Sequence, residues 1–156
     1  MPKVLLSVPH IRQRKEADCL AACAAMGLAY VGVKTDYERL LKLLKVTPYG
    51  TAGQNLTYLA SNQIQVSYRE GNMDELKILL QPDCPCITLV RTSDLPYWSY
   101  ATDHAVVVVG YDEGSIYVND PAFEAHPQAV PLQKFELAWL VFDYRFGVLS
   151  TNPMKR

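Results

Sequence analysis

The sequence predicts an α+β fold in a single domain, and two features of its patterning carry that reading. Segments with helical signals crowd the first half of the chain while strand-like runs fill the second, a segregation that argues against a wound parallel sheet. Composition supports one packed core. Hydrophobic residues make up 49% and charged residues 20%, which excludes disorder, and 156 residues are too few for two ordinary domains. The expected boundaries are one domain over residues 1–149 and a loose tail over 150–156.

The elements follow in chain order. Residues 20–28 are rich in strong helix formers, and Asp18 before them is a good N-cap. Asp36 caps a helix over 37–44, where Leu40, Leu41 and Leu44 form an apolar stripe. A third helix starts at Thr51 or Gly53 and carries Leu56, Leu59 and Ala60, and Asn72 caps a fourth over 73–80. Residues 64–68, 86–90 and 144–149 are strand-like. The unbroken apolar run 105–109 implies a strand buried on both faces. Gly114 then turns the chain into a second strand over 115–119, making a hairpin, and Pro131 opens a helix through Leu140.

Charge and hydropathy restrict the partners. A net charge of −1 leaves no electrostatic footprint for nucleic acid. No apolar stretch approaches the ~20 residues of a membrane helix, and Pro9 interrupts the short Val4-Leu5-Leu6 run that a signal peptide would need to extend. Cytoplasmic residence is the expectation, with a peptide or protein as substrate.

Four residue types stand at informative places. Gln13 precedes Cys19 by six residues, His104 opens the apolar strand of the hairpin, and Asp120 follows its second strand. A papain-type cysteine site needs these parts: an amide donor for the oxyanion, a thiolate, a base, and an orienter of that base. Cys19 falls in a first helical turn, where unpaired N–H groups and the helix dipole favour an anion. The hairpin brings Asp120 to the same end as His104, so one imidazole nitrogen can meet the carboxylate while the other faces the thiol. Asn119 is a second candidate for the orienter. The loop 93–102 holds Tyr97, Trp98 and Tyr100 directly before His104, a candidate wall for a peptide groove. His10 reads as structural and His126 as solvated.

The runs Val8-Pro9-His10-Ile11-Arg12-Gln13, Asp18-Cys19, His104-Ala105-Val106-Val107-Val108-Val109-Gly110-Tyr111 and Val118-Asn119-Asp120-Pro121 resemble the bacteriocin-processing, double-glycine leader peptidases. The resemblance implies a papain-like cysteine peptidase fold with a helical half and an antiparallel sheet half. It also implies a nucleophile at Cys19, a base at His104, an orienter at Asp120 and an oxyanion donor at Gln13. Such peptidases are often fused to peptide-exporting transporters; here any transporter is expected as a separate partner. The family usually carries glycine directly after the cysteine, where this chain has Leu20, which is expected to narrow the cleft beside the nucleophile.

The same residues serve acyl transfer or deamidation of the transglutaminase kind, and an idle, peptide-binding domain is the non-enzymatic alternative. No cofactor or metal is expected: the spacings of Cys19, Cys23, Cys84 and Cys86 are unlike zinc knuckles. Cys23 and Cys86 read as small core residues.

Overall fold

The computed structural model describes residues 2–151. A seven-stranded antiparallel sheet forms its centre, built from β1 (Val4–Leu5), β2 (Ile64–Glu70), β3 (Cys86–Arg91), β4 (Asp103–Tyr111), β5 (Ser115–Asn119), β6 (Gln128–Pro131) and β7 (Arg145–Thr151). The spatial order is β2-β7-β3-β4-β5-β6, and β1 lies along the far end of β4 with Leu5 opposite Gly110. A Cβ at Gly110 would stand 2.2 Å from the Val4 carbonyl oxygen, so the first strand can close on the sheet only over a glycine.

Helices α1 (Cys19–Tyr30) and α2 (Tyr37–Leu43) cover one face of the sheet, and α3 (Met73–Leu80) and α4 (Leu132–Leu140) cover the other. Ala105, Val107 and Val109 point to α1, whereas Val106 and Val108 point to the side of Phe135 and Trp139. That two-sided burial is the reason β4 reads as a continuous apolar run. Helix α1 is apolar on every side because it lies between the sheet and α2, and its alanines permit a close approach to both.

Several expectations shift at their edges. Asp18 does not cap α1; its carboxylate instead accepts from the Lys15 N–H and the Tyr37 hydroxyl, closing a 3-10 turn at Glu16–Asp18. Asp36 makes no side-chain cap either, whereas Asn72 accepts from the Glu75 N–H at 2.9 Å as anticipated. The third helix is a 3-10 segment, Gly53–Leu59, packed beside β2 at the edge of the sheet. Strands β1 and β6 had no signal of their own, because each is brief and defined by its partner. Ser150 and Thr151 pair with Gln65 and Ile64, so the first two residues of the supposed tail belong to β7; the remainder of that tail lies outside the described residues. Among the described residues, no helix is long and apolar enough to cross a membrane.

Candidate active site

Cys19 is the first residue of α1 and is half-exposed. With Asp18 turned away, the first turn has no side-chain cap, so its backbone donors open on a groove of about 590 Å3 that Cys19 and His104 both line. Leu20, Leu89, Ala105 and Phe142 form its apolar floor, and the loop at residues 47–53 forms the opposite wall. That wall was not foreseen, since a turn carrying Gly50 at φ +103° has no chemical signature beyond the turn itself.

His104, on β4, is buried, and its Nε2–H donates to Asp120 Oδ1 at 2.7 Å. Cys19 lies beside the ring on the same groove, and with Nε2 engaged it is Nδ1 that remains for the sulfur. Burial alone would depress the imidazolium. The bond to Asp120 and the nearby Cys19 sulfur outweigh it and raise the pKa from 6.5 to about 9. Burial pushes the Asp120 carboxyl in the unfavourable direction too, but the bonds from His104, the Ala122 N–H and Trp98 hold it below its ordinary value. Cys23, one turn along α1, is fully buried, and burial followed by the nearby Cys19 and Asp120 raises its thiol well above the ordinary range. The four cysteines are free, and only Cys19 lies beside the imidazole on the groove.

A pH dependence of stability follows. A group whose folded pKa is raised stabilises the fold fully below its unfolded value and ceases to do so as pH passes the folded one. The melting temperature is therefore expected to decline from about pH 6.5 to about pH 9 through His104, and Asp120→Asn to flatten that decline, as thermal scans across the range will read.

The Asn119 amide donates to the Val8 carbonyl at 3.1 Å, whereas the His104 ring is bonded to Asp120. That contact is one of several by which residues 8–13 grip the segment after β5. The His10 ring donates to the Asp120 carbonyl, the Gln13 N–H to the Pro121 carbonyl and the Arg12 guanidinium to the Ala122 carbonyl. His10 also stacks on His126, ring centroids 4.3 Å apart, so that exposed ring is packed rather than merely solvated.

Gln13 has a geometry the spacing did not foretell. Its amide Nε2 donates to the carbonyls of Lys15 and Glu16, at 3.1 and 3.2 Å, while Oε1 is buried without a partner. The side chain thus braces the turn that leads into Cys19. The aromatic trio is also placed differently from a substrate wall. None of the three lines the groove: Tyr97 and Trp98 turn their polar atoms onto Asp120, and the Tyr100 hydroxyl faces Glu16. A buried carboxylate needs donors, and two adjacent aromatics with N–H and O–H tips were the signal that could have been read. Leu20 does line the groove, but at 2% exposure it is a core residue beneath it.

Solved structures share this architecture. A protein described as a C39-like peptidase from Bacillus anthracis superposes with a TM-score of 0.78 at 21% identity, covering 96% of this chain and 98% of that one. The double-glycine motif protease of an AMS/PCAT transporter, solved with its leader peptide, gives 0.74 at 22% identity, covering 96% of each chain. The peptidase domain of Streptococcus ComA, a bifunctional ABC transporter of a quorum-sensing pathway, gives 0.74 at 18% identity, covering 92% and 98%. No curated protein sequence matches the chain. With the fold shared over nearly its whole length and residues 5–145 matching the model of the Peptidase C39 like family, the chain belongs to that family of peptidases.

Proposed function

We propose that this protein is a cysteine peptidase that hydrolyses a peptide bond through Cys19, His104 and Asp120. The observation that carries the reading is the 2.7 Å bond from His104 Nε2 to a fully buried Asp120, with His104 and the Cys19 thiol lining the same open groove. In this mechanism the Cys19 sulfur attacks the carbonyl carbon of a peptide lying in the groove. The oxyanion is met by the Cys19 backbone N–H and by the Gln13 amide, which must first turn from the Lys15 and Glu16 carbonyls. His104 passes its Nδ1 proton to the leaving amine nitrogen, and the C–N bond breaks to leave a thioester. Water then attacks the thioester with His104 as base, Cys19 leaves as thiolate, and the acid product departs. Asp120 holds the ring in the orientation that both steps need.

The related AMS/PCAT protease, solved with a leader peptide, makes a double-glycine leader the first substrate to try. The chemistry is testable without one. Iodoacetamide near neutral pH is expected to modify Cys19 faster than Cys23, Cys84 or Cys86, as site-resolved mass spectrometry will measure, because burial holds those three in the thiol form. Equal rates at all four would remove Cys19 from the nucleophile's role.

Gln13→Ala is expected to have two effects. Losing an oxyanion donor costs on the order of a hundredfold or more in turnover. Losing the two bonds to Lys15 and Glu16 removes roughly 1 kcal/mol of stability, or about 2–4 °C in Tm. A Tm loss with turnover intact would make Gln13 a brace for the turn and nothing more.

A further inference from the structure

The bond to His104 uses only one side of the Asp120 carboxylate. Oδ1 accepts from His104 Nε2 and from the Ala122 N–H at 2.9 Å. Oδ2 accepts from the Tyr97 hydroxyl at 2.7 Å and the Trp98 indole N–H at 2.9 Å. A carboxylate offers about four acceptor positions, and here each is filled while the group is 0% exposed. Rotating it to exchange the two oxygens would break every one of those bonds. Burial and then the neighbouring carboxylate keep the Tyr97 phenol protonated, so it remains a donor.

The two donors are themselves fixed. Thr92 closes the base of their loop, its hydroxyl donating to the Tyr100 carbonyl and accepting from the Thr102 N–H. The ring of Phe123 meets both Tyr97 and Trp98 edge-on, each at 5.2 Å. Trp98 in turn sets its ring against the His104 imidazole, centroids 4.8 Å apart, so one side chain touches both members of the His–Asp pair.

We propose that Tyr97 and Trp98 are positioning residues for the reaction, acting through Asp120: their donors lock Oδ2 so that Oδ1 has one direction in which to hold His104, and the Trp98 ring covers that bond from water. This rests on the reading of Cys19, His104 and Asp120 as the catalytic set. In it, the aromatics serve the base and not the substrate.

The test uses the whole chain, iodoacetamide as the probe, and Tyr97→Phe, Trp98→Phe and the double variant; Tyr97→Phe removes only a donor, whereas Trp98→Phe removes a donor and part of the ring that packs on His104. Cys19 alkylation at pH 6 is expected to slow about tenfold for each donor lost, the scale of one hydrogen bond to a charged group. The deficit should shrink towards pH 9, where thiolate forms without help, while Tm remains well above the assay temperature. A merely structural role would lower Tm and leave this pH-dependent deficit absent. Unchanged alkylation at pH 6 in the folded double variant, beside slow alkylation of His104→Ala, would overturn the proposal alone. Alkylation of the parent that ignores His104→Ala would instead overturn the catalytic reading beneath it.

Discussion

His104→Ala is expected to lower turnover by on the order of 10^4 or more, the usual consequence of removing the base from a nucleophile–base pair. The same variant should also lose stability, because Asp120 is left ionised and fully buried with its main counter-charge gone. Breaking a buried pair from one side typically costs about 3–5 kcal/mol. The bonds from Tyr97, Trp98 and Ala122 survive and keep the loss near the lower end of that range. Parallel measurements of turnover and Tm separate the two effects, since the rate is read at a temperature where the variant is folded. Turnover within tenfold of the parent would exclude His104 from the chemistry.

Leu20→Gly is expected to damage the fold without opening the site. The residue that departs from the family's glycine belongs to the core cluster of α1, with Ala21, Ala24, Leu89 and Ala105 in the same cluster. Removing a buried leucine side chain costs roughly 2–5 kcal/mol, and glycine in a helix adds about 1 kcal/mol. Against a typical total of about 5–15 kcal/mol, that is a large fraction of the stability. Tm should fall on the order of ten degrees, with cleavage of a double-glycine peptide no faster than in the parent. An increase in cleavage would restore the view that the leucine narrows the cleft.

What the chain revealed in advance was the part set by local chemistry. The β4–β5 hairpin, the strand ends bearing His104 and Asp120, and the helix start at Cys19 follow from apolar runs, one turn glycine and helix propensity, and each stands where the pattern put it. What stayed hidden depends on partners distant in sequence. Asp18 follows the N-cap rule, yet the hydroxyl of Tyr37 and the Lys15 N–H compete for its carboxylate and win. Tyr97 and Trp98 are read from the sequence as a groove wall, but their destination is set by a buried carboxylate 22 or 23 residues away. The fate of the Gln13 amide, turned to the carbonyls of Lys15 and Glu16, is decided by a 3-10 turn that no propensity marks.

The grip of residues 8–13 on the segment after β5 has a kinetic meaning. Each of its side-chain ties joins residues 110 or 111 positions apart, so each closes a long loop of the kind that forms slowly. The two halves of the candidate site, the thiol with its amide on one side and the imidazole with its carboxylate on the other, lie far apart in the chain and meet only through long-range contacts. Cys19 can have its helix, and His104 its hairpin, well before either has the other. On the proposed reading, joining these halves is what a working centre needs, which makes Cys19 reactivity a reporter of whether the whole molecule has closed.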